Sequence, residues 1–170
     1  LTHDPDALEA AARTGLPVIL MHAQGDPKTM NDNPRYDDLV LDVTCFLGNR
    51  IAACEAAGIP RAKLCVDPGI GFGKHLHHNV AMMAHLATLH GLGVPILLGA
   101  SRKKMIGQLS ASGADKPADR VPGSLATVMV AAAQGVQLMR VHDVAATKQA
   151  LDVWLASTRG REQSVEPARS

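Results

Sequence analysis

Four short apolar runs recur along the chain, and each ends in polar residues. They occupy residues 17–22, 63–67, 95–101 and 136–142. Runs of this length, bounded by turn residues, read as buried strands. The segments between them carry apolar residues at helical spacing instead. Across residues 37–57, Leu39, Val40, Val43, Phe46, Leu47 and Ile51 recur three or four apart, and Gly58 stops the pattern. Further helices are expected at 77–90, 102–109, 123–134 and 145–157, with another at 4–14 ahead of the first strand, stopped by Gly15. Residues 112–118 read as a polar insert.

Near-continuous apolar strands alternating with helices predict a parallel sheet covered on its outer face, an α/β architecture. The repeat is architectural, at roughly 35 to 45 residues per unit. Composition narrows the choice. Hydrophobic residues make up 46% of 170, enough for a packed core, while aromatics at 2% argue against a β-sandwich. A net charge of +1 leaves no electrostatic case for a nucleic-acid partner or a membrane surface. Cys45, Cys54 and Cys65 have no C-x-x-C spacing, which argues against a disulfide framework or zinc site and favours a reducing cytoplasm. Neither a signal peptide nor a long apolar span is read in the sequence. The chain begins with Leu1, which suggests that an N-terminal portion is missing.

In a parallel α/β fold the strand C-termini share one rim, and in a (β/α)8 barrel that rim carries the active site. Here the rim collects His22, Asp67, Ser101-Arg102-Lys103, Arg140 and His142. Residues two apart on a strand share a face, so Arg140 and His142 point one way while Met139 and Val141 point the other. Two cations in a partly desolvated mouth call for an anion. The plainer alternative is an internal ion pair with Asp143.

The second strand runs into VDPGIGFGK, residues 66–74. The stretch does not match a P-loop, which requires G-x-x-x-x-G-K-[ST], because Pro68 and His75 stand at two required positions. The dinucleotide pattern G-x-G-x-x-G fails as well. What remains is a carboxylate at a strand end and an open loop with few side chains. That suits a flat ligand lying on backbone, with Asp67 accepting hydrogen bonds from its amine edge and Phe72 at its border. A tight turn with a capping role is the alternative. Ser101 is either part of an anion site at a helix start or only an N-cap. His75, His77 and His78 read as solvated side chains rather than metal ligands. Arg61, Lys63, Asp37 and Asp38 read as surface charge, and Cys45 and Cys54 as small core residues.

Taken in order, LMHAQGDPKTM, VDPGIGFGK, GASRKKMIG, GSLAT and RVHDV resemble the motifs of bacterial dihydropteroate synthases, the folate-pathway enzymes targeted by sulfonamides. The likeness runs from about residue 6 to about residue 155. It implies a (β/α)8 TIM barrel of which this chain covers about the C-terminal half, four strands with their helices, over residues 1–160. A polar, frayed tail is expected at 161–170. The family condenses 6-hydroxymethyl-7,8-dihydropterin diphosphate with p-aminobenzoate, releasing diphosphate. The resemblance gives Asp67 and Lys103 to the pterin, and Arg140 and His142 to the diphosphate. Phe72 would flank p-aminobenzoate, with Gly71 and Ser101 in the substrate site and Arg102 shaping the pterin pocket. Lys103, Arg140 and His142 would carry catalysis. Lys104 stands where many relatives carry a small hydroxyl residue that binds the p-aminobenzoate carboxylate. Ala23 stands where methionine is frequent.

The resemblance also implies Mg2+, with its ligand in the missing N-terminal part and none in this chain. A homodimer through the later helices is implied for full-length relatives. A fragment of this kind is expected to be inactive alone. The alternatives are a half-barrel that binds pterin or a partner without catalysis, and a methyltetrahydrofolate-dependent methyltransferase.

Overall fold

The computed structural model describes residues 6–111 and 113–160. The tail expected at 161–170 and the start of the helix expected at 4–14 lie outside the described residues. Among the described residues there are four strands, β1 (Val18–Met21), β2 (Leu64–Asp67), β3 (Leu97–Leu98) and β4 (Leu138–Met139). The helices are α1 (Ala7–Thr14), α2 (Leu39–Ala56), α3 (Leu76–Ala84), α4 (Lys104–Leu109), α5 (Val121–Ala133) and α6 (Val144–Arg159). Short 3-10 turns occupy Arg61–Lys63, Leu86–Leu92 and Pro117–Arg120.

The strands line up in chain order, all parallel. Val18 pairs with Leu64 and Met21 with Asp67. A parallel bridge joins Val66 to Ile96, and Leu97 pairs with Leu138. Neighbouring strands joined by outer helices match a run of consecutive barrel units. The third and fourth strands are shorter than their apolar runs because only a few ladder bonds form there. Leu138 N–H donates to Ile96 O at 3.1 Å and Arg140 N–H to Leu98 O at 2.9 Å.

The core lies between the sheet and its outer helices. Leu20, Leu64, Val66, Ile96 and Leu98 face it from the strands. From α2 come Val43, Leu47, Ile51 and Cys54, which fall on one stripe of the helix. Each such side chain contributes about 2 kcal/mol by leaving water. Asp38 fixes where α2 begins, its side chain accepting from Leu41 N–H at 3.0 Å. Cys45 corrects an expectation. It is exposed, because it stands two residues beyond Val43 and so off the buried stripe, whereas Cys54 is buried.

The opposite sheet face is bare in places. Ile19 is 54% exposed and Leu138 45%, although both alternate with core-facing neighbours. In a closed barrel this face is filled by layers of side chains. The helix expected at 77–90 is broken into α3 and a 3-10 turn, with His85 at φ −122° between them.

Candidate active site at the strand C-termini

Because the strands are parallel, their polar ends lie at one edge of the sheet. His22 N–H donates to Asp67 O at 3.0 Å, carrying the β1–β2 ladder past the strand into the rim. The loop after Asp67 is shaped by contacts a side chain would block. A Cβ on Gly69 would lie 1.8 Å from His22 O, and the residue has φ +69°. A Cβ on Gly71 would lie 3.3 Å from the Lys103 stem. The glycines therefore let the chain pass close to β1 on one side and under Lys103 on the other.

Asp67 is buried, and its carboxylate accepts from Gly69 N–H at 2.7 Å. Burial pushes its pKa above the ordinary carboxylate value, opposed by the Gly69 N–H and by the charges of Arg140, Lys103 and Lys74. Lys103 is half-buried, and its ammonium stands over the Phe72 ring, 4.0 Å from the centroid. Burial lowers its pKa, as does Arg140, while Asp67 raises it. Neither Lys103 nor Arg140 has an ion-pair partner among the described residues.

One cavity of about 290 Å³ is lined by Phe72, Gly99, Ser101, Lys103, Arg140, Val141 and His142. Gly99 has a clear role here, since a Cβ would lie 2.8 Å from Arg140 Nη2. The guanidinium thus rests against bare backbone. A second polar cavity of about 270 Å³ adjoins it, lined by Gly71, Lys103, Lys104, Lys74, Asn31 and Asn79 among others. Lys103 borders both. A larger groove, about 460 Å³, lies between α3, α4 and α5 and is mainly apolar. We assign the chemistry to the smaller pair, because they hold the convergent charges.

The structure decides several sequence alternatives. Asp143 does not neutralise Arg140. It pairs with Arg102, Nη2 to Oδ1 at 2.5 Å and Nε to Oδ2 at 3.0 Å. That contact holds the Asp143 pKa below the usual carboxylate range. Ser101 does not cap α4, whose N-cap position is Lys103. Arg102 has φ +56°, and this left-handed turn delays the helix start. Ser101 Oγ instead accepts from His142 N–H at 3.2 Å and lies 3.1 Å from His142 Nδ1, joining the ends of β3 and β4. Arg102 lines neither rim cavity, and its N–H donates to Ser124 Oγ at 2.8 Å.

His75, His77 and His78 gather as rings, His77 and His78 being 3.9 Å apart by centroid. Among the described residues no group of three or more His, Cys, Asp or Glu side chains is arranged to hold a metal ion.

The sequence reading missed a buried pair, Lys74 and His22, with Nζ 2.8 Å from Nδ1. It also missed Asn79, whose Oδ1 accepts from Gly71 N–H at 2.7 Å, and Tyr36, whose hydroxyl donates to Gly73 O at 2.6 Å. The one available signal was a lysine closing a glycine loop.

Comparison with known proteins places the chain in one family. A model of the pterin binding enzyme family matches residues 1–142. Dihydropteroate synthase of Escherichia coli strain K12 is 51% identical over 159 residues, 94% of this chain and 55% of that protein. A Yersinia pestis dihydropteroate synthase structure with a sulfonamide drug complex superposes with TM-score 0.87 at 50% identity, over 94% of this chain and 56% of that one. The Xanthomonas albilineans enzyme in complex with 7,8-dihydropteroate gives 0.83 at 48% identity, over 92% and 56%. The chain spans about half the length of the curated relatives it matches.

Proposed function

Because this chain belongs to the pterin binding enzyme family, we propose that it supplies the substrate-binding rim of a dihydropteroate synthase. In this reading p-aminobenzoate condenses with 6-hydroxymethyl-7,8-dihydropterin diphosphate. The aniline nitrogen attacks the exocyclic methylene carbon as the carbon–oxygen bond breaks. The electron pair leaves with diphosphate, and the nitrogen then loses a proton.

The observation that carries the reading is the convergence of Lys103, Arg140 and His142 on one cavity beside buried Asp67. The cavity's cations make no ion pair among the described residues. Asp67 would accept from the amino edge of the pterin, and Lys103 would donate to its ring oxygen. Arg140 and His142 would hold the diphosphate and stabilise charge growing on it as the bond breaks. Phe72 would flank the aryl ring. Lys104 and the start of α4, beside the second cavity, would receive its carboxylate. The turn at Arg102 would set the direction of Lys103.

The bare inner face at Ile19 and Leu138, with coverage of about half of the relatives, supports a rim that binds but does not turn over until further strands close the barrel. We also propose a homodimer through the apolar groove between α3, α4 and α5. The free thiols suit a cytoplasmic setting. No helix among the described residues is long and apolar enough to cross a membrane.

Separate titrations test the reading. A fluorescent pterin should bind the chain about tenfold more weakly after Asp67→Ala or Lys103→Ala, the loss of one charge-assisted contact. Inorganic diphosphate should weaken after Arg140→Ala instead. Pterin binding unchanged by both Asp67→Ala and Lys103→Ala would refute the assignment.

A further inference from the structure

The lysine that closes VDPGIGFGK takes no part in the steps above. Yet among the described residues Lys74 is the one buried lysine or arginine, at 4% exposure. Its Nζ lies 2.8 Å from His22 Nδ1, 3.2 Å from Gly69 O and 3.3 Å from Phe72 O. An ammonium has three donors and no acceptor, so these three partners exhaust it. His22 must then present Nδ1 as a bare lone pair and carry its proton on Nε2. The backbone is tied as well, since Asn79 Nδ2 donates to Lys74 O at 3.1 Å. Gly69 links this lysine to the site, because its N–H donates to Asp67 Oδ1 and its carbonyl accepts from Lys74.

A cation this deeply buried needs compensation. Asp67 supplies the opposite charge, and the relation runs both ways. We propose that Lys74 is a positioning residue for the pterin site: its ammonium grips Gly69 and Phe72 by their carbonyls and supplies charge that keeps Asp67 an acceptor. The assignment rests on Asp67 as the pterin anchor proposed above.

Electrostatics supports this reading. Burial brings the Lys74 pKa down to about 7, with Asp67 pulling upward. The groups facing this cluster come from every neighbouring element. His22 reaches it from the end of β1 and Asp67 from the end of β2. The Tyr36 ring lies 5.9 Å away, and His78 feels the lysine from α3. Lys103 and Arg140 act on Asp67 from the ends of β3 and β4. When Lys74 loses its proton, two N–H groups remain for three acceptors. His22 can then shift its proton to Nδ1 and donate to the amine lone pair, so the grip on the loop survives while the charge is lost. The loss is therefore read at Asp67.

Carbon-13 NMR titration of the wild-type chain tests the coupling without a variant. The Asp67 carboxyl shift should show a second, smaller inflection at the midpoint of the Lys74 side-chain titration. Two curves with no shared inflection would overturn the proposal. Lys74→Met should raise the Asp67 midpoint, because it removes a neighbouring positive charge. Lys74→Arg should return it to within a few tenths of a pH unit. An Asp67 midpoint that is the same in wild type and Lys74→Met would also overturn the proposal. If fluorescent pterin binding ignores Asp67→Ala while the shared inflection is present, the pterin reading fails and the coupling stands.

Discussion

Acid should unfold this protein through one histidine. His22 is buried at 5% exposure, with its ring edge-on to Phe46 at 4.9 Å and its Nδ1 against the Lys74 ammonium. Burial, then the charge of Lys74, lowers its pKa from 6.5 to about 4. An unfolded chain takes up this proton near pH 6.5, and the folded chain only near pH 4. The stabilisation is complete above pH 6.5, declines as pH falls, and is gone below about pH 4. At about 1.4 kcal/mol per pH unit, the window from 6.5 to about 4 is worth about 3 kcal/mol. That is a large share of a typical domain's stability. His22→Asn removes the titration and leaves an amide oxygen near the position of Nδ1. Urea unfolding followed by circular dichroism, from pH 7 to pH 4, should show wild type losing about 3 kcal/mol more than the variant. Comparison with the variant cancels contributions from His78 and the carboxylates. Equal losses in the two proteins would refute the reasoning.

Other substitutions separate the site's parts. Gly99→Ala should change stability by less than about 1 kcal/mol, because the guanidinium end of Arg140 can give way to the new Cβ. Diphosphate affinity measured by calorimetry should nevertheless fall about tenfold, as that contact is misplaced. Asp143→Asn releases Arg102 from its ion pair and loosens the turn that directs Lys103, so fluorescent pterin binding should weaken by about threefold or more while the circular dichroism spectrum is unchanged. Val130→Lys puts a charge in the apolar groove between α3, α4 and α5, and sedimentation velocity should report a shift toward monomer relative to wild type.

The sheet and its rim were legible because they depend on local pattern. Apolar runs ended by Asp67, Lys103 and Arg140 force parallel strands whose polar ends meet on one side. Arg140 and His142 do line one cavity, but Val141, expected to point away, lines it too, because β4 ends at Met139 and strand alternation stops there. What the pattern could not carry was pairing between distant residues. Asp143 was adjacent in sequence to His142, yet it found Arg102, 41 residues away. The left-handed turn at Arg102 has no sequence mark, since such a backbone usually calls for glycine or asparagine. That turn decided the role of Ser101, which joins β4 rather than capping α4. Lys74 was hidden for the opposite reason. A lysine is almost always solvated, and only the packing of β1 against the glycine loop buries this one.

Amide perturbation mapping of the isotope-labelled chain tests the central claim most directly, that one rim holds a pterin and a diphosphate side by side. The account predicts that 6-hydroxymethylpterin shifts the amides of Gly69, Gly71 and Lys103, that inorganic diphosphate shifts those of Gly99, Ser101 and His142, and that Asp67→Ala abolishes only the first set. Shifts centred on Leu64 and Val136, at the other end of the strands, or on Val80 and Val130 in the outer groove, would contradict it.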